Sequence, residues 1–463
     1  MKPLRKQGII IFSILALVLA ACGGDTTEET TVEETTPEVV ESLDSPAVTT
    51  ASRVESGVGV TSDPCPEAIG GIPTGADQSK GCIYLGMLND YTGPYAAAGP
   101  ALETAQRAFW LWANSAGGVG DYSVAIIEGT DTGYNPQKHL EAYNAQKGDV
   151  AALAMSLGTV QTLFILDEMD KDNMVAAPMS WYSGWSYKSV DKGLVIEFGS
   201  AYCADGMNAV DWALANLPVD IKTIGIMGGA GDYGSDWAAG VKYAAEKNGL
   251  TVAWEYVPPS TEFDVAQAVG LMLTQPVDAY FPAIVPSQMA QVAGGAAQQG
   301  VTPIAMLAAP AFNDAFVQEG FALKGLFESG AIYTMAWVAP YEFNSAAHAT
   351  MRATFASMGI DSASSFLVAG WSSQYHMKGV LEAAIKGGDL TRAGIRRAAA
   401  NVYVESDGMM LTRELGQDRA DKESFINIPD GSIASGVKML ASNYVGPSAE
   451  SYDFTQGPCY ASG

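Results

Sequence analysis

The groups able to hold or transform a small molecule stand where apolar runs give way to short polar or aromatic loops. Residues 92–97 carry Tyr95, an aromatic wall. Ser156-Leu157-Gly158-Thr159 opens a helical pattern. The free N–H groups and positive dipole end at such a start suit a carboxylate or carbonyl oxygen, although Thr159 can also serve as an ordinary N-cap. Met179-Ser180-Trp181-Tyr182 offers the Ser180 hydroxyl and the Trp181 indole, a combination suited to an apolar or ring-bearing ligand. Gly229-Ala230-Gly231-Asp232-Tyr233-Gly234 presents Tyr233 within a formal G-x-G-x-x-G, with Glu255 ending the next apolar run. That pattern marks dinucleotide sites, but the same glycines also turn a strand tightly into a helix. Residues 281–285, with Phe281, and 309–312, with Ala309 and Phe312, complete the set.

Enzymatic motifs are sparse. The chain has no G-x-S-x-G elbow, G-x-x-x-x-G-K-[ST] loop or H-E-x-x-H helix. His139, His348 and His376 stand far apart and outside metal-ligand frames, so no metal site is expected. No cofactor is expected either. Against 25 Lys and Arg stand 51 Asp and Glu, a formal charge of −26 that disfavours nucleic acid as a partner. With 48% apolar residues over 463 positions, the chain can bury a large core in two or more domains.

Those loops need a scaffold, and the pattern supplies one. Apolar runs at 82–89, 122–128, 150–156, 174–178 and 194–198 alternate with helical patterns from about 100, 136 and 159. A second series follows Cys203, with strands expected at 223–227, 251–257, 277–284 and 303–308 and helices at 233–248, 264–274 and 288–299. One more strand at 326–333 and helices at 344–358, 365–386 and 391–400 come after them. This is the alternation of two α/β units with parallel sheets. In such sheets ligands sit beyond the carboxyl ends of the strands, which is where the loops above fall.

The N-terminus reads as an export leader: Lys2, Arg5 and Lys6 precede an apolar stretch from 8 to 21 that is too short to span a bilayer. Leu19-Ala20-Ala21-Cys22 resembles the lipobox of bacterial lipoproteins, which implies lipidation of Cys22 and attachment to a membrane of the cell envelope, facing the periplasm or exterior. Residues 22–63 then read as an acidic Thr/Glu-rich tether, with ten acids between 23 and 63 opposed only by Arg53. In an oxidising compartment, Cys65, Cys82, Cys203 and Cys459 point to two disulfides. Three pairings are open; closeness in sequence favours Cys65 with Cys82, which leaves Cys203 for Cys459.

Leu88-Asn89-Asp90-Tyr91-Thr92-Gly93-Pro94 with Gly99, then Asn114 and Gly117-Gly118, Asp149-Val150-Ala151-Ala152 leading to Leu157-Gly158-Thr159, and Asp232-Tyr233-Gly234 follow one another in an order that resembles the type I periplasmic binding proteins, in particular the branched-chain amino acid and amide branch. The resemblance covers about 81 to 444. It implies two doubly wound parallel-sheet lobes joined by three hinge crossings, near Gly199, Ser329 and Lys438. Lobe 1 would comprise 64–198 with 329–438, and lobe 2 would comprise 199–328 with 439–463. It further implies a monomeric, non-catalytic protein that closes on a solute and delivers it to the permease of an ABC importer, with Tyr233 closing over the ligand. A ligand sensor for a separate receptor shares the fold, and a nucleotide-cofactor enzyme is the remaining alternative. Amino-acid binders of the family place an acid after the strand that here reads Met306-Leu307-Ala308-Ala309, to pair with the ligand ammonium. Here Pro310 or a neighbour stands there, and the nearest acid is Asp314. An unpaired buried ammonium is costly, which widens the expected solutes to amides, carboxylates and aromatic compounds.

Replacing Cys22 by Ser is expected to release the protein from membranes into the soluble fraction. Detergent partitioning of the two forms checks this, and persistent membrane attachment would contradict the anchor.

Overall fold

The computed structural model describes residues 54–67, 70–229, 231–258, 263–410, 413–417 and 420–461. The expected leader, Cys22 and the expected tether up to 53 lie outside the described residues. Part of the segment expected as tether, from 54 to 63, is held by the folded body. Glu55–Ser56 pairs in parallel with Asp389–Leu390, and Val60–Thr61 pairs antiparallel with Cys82 and Ile83. Val54 and Val60 pack against the core, so these few apolar side chains suffice to fix a segment otherwise rich in acids.

The first sheet is built on Gly81–Asn89, which pairs in parallel with Tyr122–Ile126, Thr130–Asp131 and Ala152–Leu157; Ala176–Met179 extends it beyond Ala152–Leu157. Gly81–Asn89 is buried along nearly its whole length, as a parallel strand covered on both faces must be. Gly99–Ser115 packs on Ser365–Lys386. Phe109 meets Trp371 at 5.2 Å and Tyr375 at 4.9 Å between ring centroids in edge-on contacts.

The second sheet has seven strands in the order Val437–Tyr444, Ser424–Pro429, Ile332–Ala336, Ile304–Leu307, Ala279–Ala283, Thr223–Gly228, Thr251–Tyr256. The last five run parallel, and the first two are antiparallel additions at one edge. Both disulfides form as closeness in sequence favours, Cys65 with Cys82 and Cys203 with Cys459.

Several expectations change. Residues 194–198 form a buried extended segment with one bridge, between Ala176 and Val195, rather than a strand, because Gly199 turns the chain away. The strand expected at 326–333 is Ile332–Ala336, since Lys324–Phe327 is a helical turn and Gly330 breaks the run at φ +82°. Tyr202–Asn216 is a helix whose residues are buried almost all round; its one polar stripe, Asp205, Asn208 and Asp211, faces other protein groups rather than solvent. Ile332–Ala336, Ser424–Pro429 and the start of Val437–Tyr444 belong to the second sheet, whereas boundaries at 329 and 438 would place them in lobe 1. The crossings between the sheets therefore fall near 199–201, 337–340 and 420–423.

Helix Tyr202–Asn216 ties two of these crossings together. Asp205 Oδ1 accepts from the hydroxyls of Ser200 and Ser424, and Asn208 Nδ2 donates to the carbonyls of Lys422 at 2.6 Å and Tyr444 at 3.1 Å. Burial raises the Asp205 carboxyl to about 8 against the two hydroxyl hydrogen bonds that lower it. Between about pH 4 and 8 the folded chain holds this proton and the unfolded chain does not. The stability linked to Asp205 is thus full below about pH 4 and is lost as pH rises through about 8. Asp205→Asn is accordingly expected to gain stability relative to the parent as pH rises from 5 to 8.5. Urea midpoints of the pair at several pH values check this; a constant difference would contradict it.

Candidate ligand-binding site

The loops that follow strands in the two sheets face each other across a cleft with an empty volume of about 370 Å³. It is lined by Tyr95, Tyr134, Trp181, Tyr202, Trp337 and Phe366, with Leu102, Leu157, Met179, Pro310 and Ala369 between them. Its position is fixed locally by Asp90, the first residue after Gly81–Asn89. The Asp90 carboxylate accepts backbone N–H groups of Thr92 at 3.2 Å, Gly93 at 2.6 Å and Tyr95 at 2.8 Å. That knot holds the loop so that Tyr95 lies 5.0 Å from Tyr134 between ring centroids.

The indoles of Trp181 and Trp337 stack at 3.3 Å between centroids with their planes 3° apart, one from the loop after Ala176–Met179 and the other from the second crossing. Gly199 permits this approach: a Cβ there would come within 2.7 Å of Trp337 Cβ, and its φ of +75° already disfavours any side chain. On the other wall, Tyr202 and Tyr233 lie 4.7 Å apart, and Tyr233 donates weakly to the Ile284 carbonyl at 3.5 Å. Burial raises the phenols of Tyr95, Tyr202 and Tyr233 well above the usual range, so each remains a neutral donor.

No charged side chain lines the cleft among the described residues. Two buried donors of its wall nevertheless lack partners, Trp181 Nε1 and Trp337 Nε1, while the Thr159 hydroxyl is engaged by the Tyr202 phenol. Thr159 is the first residue of the helix Thr159–Asp172, whose N-cap, Gly158, offers no side chain. An uncharged lining of phenols and indoles offers donors to an anionic or carbonyl oxygen and holds no carboxylate to pair with an ammonium.

The loops expected from sequence are partly assembled here. Tyr95 and Trp181 line the cleft, and Tyr233 and Thr159 adjoin it through Tyr202. Ala309 and Phe312 line an adjacent cavity, while Pro310 between them reaches the cleft. Three expected contacts are occupied elsewhere. The Ser156 hydroxyl is shared by His139 Nε2 at 2.9 Å and Thr162 Oγ1 at 2.7 Å, Ser180 Oγ accepts from Trp185 Nε1 at 2.8 Å, and Phe281 sits inside Ala279–Ala283, in the core. Burial lowers His139 to about 3, so that imidazole is neutral and structural. Tyr134, Tyr202, Trp337 and Phe366 were not anticipated. Trp337 follows a strand, and placing that strand at Ile332–Ala336 would have exposed it to the same rule that selected Trp181.

The glycines at 228–234 serve packing. A Cβ at Gly228 or Gly234 would overlap the other's backbone, and one at Gly231 would overlap Val160 Cγ2 of the first lobe. The lobes are thus in contact across the cleft. Ser183, after Ala176–Met179, fastens them: its N–H and hydroxyl donate to the two carboxylate oxygens of Asp236, in helix Asp232–Lys247, at 3.0 and 2.6 Å. The Cys459 N–H donates to Ser183 Oγ at 3.0 Å, and Tyr182 donates to the Tyr460 carbonyl at 2.7 Å, so the disulfide-bound C-terminal segment joins the same fastening.

Two lobes, three adjacent crossings and an uncharged cleft between strand ends define a hinged solute-binding protein. The family profile described as periplasmic binding protein matches residues 82–424, and the chain belongs to that family. No curated protein matches it in sequence. Among solved structures, it is similar to a fatty acid ABC transporter substrate-binding protein from Thermomonospora curvata, at 24% identity over 86% of this chain and 97% of that one, with a TM-score of 0.75. A branched-chain amino acid ABC transporter structure from Thermus thermophilus with bound valine is 12% identical over 80% and 98% of the chains, with a TM-score of 0.66. A solute-binding protein from R. palustris in complex with 4-hydroxybenzoate is 14% identical over 79% and 98%, with a TM-score of 0.65.

Ser183→Ala removes the hydroxyl shared by Asp236 and Cys459 and is expected to shift the ligand-free protein roughly tenfold toward an opened arrangement, as loss of a charge-assisted hydrogen bond would. Small-angle scattering checks this through a larger radius of gyration; an unchanged radius would show that the contact does not hold the lobes.

Proposed function

We propose that this chain is an exported, lipid-anchored, monomeric binding protein that captures a small organic monocarboxylate with an apolar or aromatic body. It hands that solute unaltered to the permease of an ABC importer. The observation that carries the reading is the cleft itself: aromatic walls, no charged lining residue among the described ones, and two wall indoles whose N–H groups have no partner. A carboxylate in the cleft would meet the Tyr202 phenol, which Thr159 steadies at the start of Thr159–Asp172, and the rings would cover its apolar body.

A zwitterionic amino acid fits less well. Pro310 stands in the wall, the Asp90 carboxylate is taken up by three backbone N–H groups, and Asp236 by Ser183. An ammonium in the cleft would have to give up water with no anion to replace it. The 4-hydroxybenzoate bound in one similar structure and the fatty acid named for another carry a carboxylate and no ammonium, whereas the valine bound in a third carries both, so the carboxylate is the group they share. Export and anchoring rest on the leader and on Leu19-Ala20-Ala21-Cys22. Capture without conversion rests on a lining that offers donors and apolar surface.

A thermal-shift series on protein starting at residue 54 tests this. Benzoate, 4-hydroxybenzoate and octanoate at concentrations well above their dissociation constants are expected to raise the melting temperature by a few degrees. Valine, leucine and benzamide are expected to leave it near the ligand-free value. Stabilisation by the amino acids alone would overturn the assignment.

A further inference from the structure

A second cavity, with an empty volume of about 520 Å³, lies against the cleft. Its lining includes Ala309, Phe312, Val368 and Val437, with no charged side chain among the described residues. Trp337 and Phe366 line both hollows. The partition continues along the chain: Ala309 faces the second cavity and Pro310 the cleft, as do Val368 and Ala369 respectively. Two side chains and one residue step of backbone on each side are therefore what separates them.

We propose that the site takes an elongated, straight-chain monocarboxylate, with its carboxylate in the cleft and its alkyl tail running past Trp337 and Phe366 into the second cavity. This rests on the carboxylate reading above and extends it to a solute class. The two hollows differ as a head site and a tail site should. The cleft offers the phenols of Tyr95 and Tyr202 and the unbonded Trp181 N–H, whereas in the second cavity the hydroxyls of Thr334 and Ser435 are already given to the Met335 carbonyl and the Glu342 carboxylate. Ala309, Phe312, Val368 and Val437 are the apolar surface a tail would cover there.

Trp337 is the side chain able to open the way. Its Nε1 makes no hydrogen bond, so stacking on Trp181 and packing are what hold the indole. It also stands on the second crossing, immediately after Ile332–Ala336, where the backbone must turn when the lobes move. A tail displacing the indole would exchange one apolar contact for another and cover the apolar lining of the second cavity.

Calorimetric titration with butanoate, octanoate, dodecanoate and hexadecanoate, each below its micellar concentration, tests the proposal on the parent, Val368→Phe and Val437→Phe. Affinity is expected to rise by up to about fourfold per methylene, then level off once the second cavity is full. Each filling variant should lose most of that gain and bind butanoate as the parent does. Should a variant not fold, the parent still decides: near-ultraviolet circular dichroism of the Trp181–Trp337 pair is expected to change with dodecanoate and not with butanoate. Affinity that stays flat or falls beyond butanoate, a gain undiminished in folded filling variants, or an indole signal indifferent to chain length would overturn the tail site and leave the carboxylate reading standing. Failure of every carboxylate, benzoate included, would remove both.

Discussion

The contact on which the rest of the structure depends is the parallel stack of Trp181 on Trp337. One ring comes from the first sheet, the other from the chain as it leaves the second, and they meet only because Gly199 has no side chain to stand between them. Three crossings must pass through one narrow region for the lobes to pivot as units, so their backbones need small or planar neighbours. Stacked indoles meet that requirement and at the same time form a wall of the cleft. The hinge and the binding surface are thus built from the same atoms, and a solute that touches Trp337 touches the pivot. Differential contact of this kind is what closure around a ligand requires.

Much of the scaffold is legible in the sequence because parallel strands announce themselves. Residues 82–89, 150–156 and 223–227 are apolar runs bounded by glycine or acid, and each is a strand. What stays hidden has physical reasons. Helix Tyr202–Asn216 is enclosed on nearly every side, and its short polar stripe of Asp205, Asn208 and Asp211 is spent on buried hydrogen bonds instead of marking a solvent face. Val437–Tyr444 is an antiparallel edge with Lys438, Ser442 and Asn443 along it, and its polar residues read as a connection rather than a strand. Missing that edge moved two of the three crossings to the wrong places.

The binding surface is legible to a lesser extent. The rule that ligands gather beyond strand ends selects Tyr95 and Trp181, which line the cleft, and Tyr233, which adjoins it through Tyr202, because it follows from topology alone. It also selects Ser156, Ser180 and Phe281, whose polar groups or rings are consumed by His139, Trp185 and the core. Sequence spacing places a hydroxyl in a loop but does not say which neighbour has already claimed it. Tyr134 and Phe366 come from a loop and a helix start with no motif, and only the fold brings them to the cleft. The glycines at 229–234 illustrate the converse: a pattern associated with phosphate binding is here filled by backbone and by Val160 of the opposite lobe.

The bond between Cys203 and Cys459 carries a practical lesson for whoever prepares this protein. The Cys459 amide and the Tyr460 carbonyl both reach into the first lobe, yet what ties that stretch to the second lobe covalently is one oxidised sulfur pair. Material made in a reducing cytosol would keep this stretch by hydrogen bonds alone, and its measured affinities would describe a clamp without its covalent tie. Recombinant samples therefore belong in an oxidising host, with free thiols assayed before any titration is trusted.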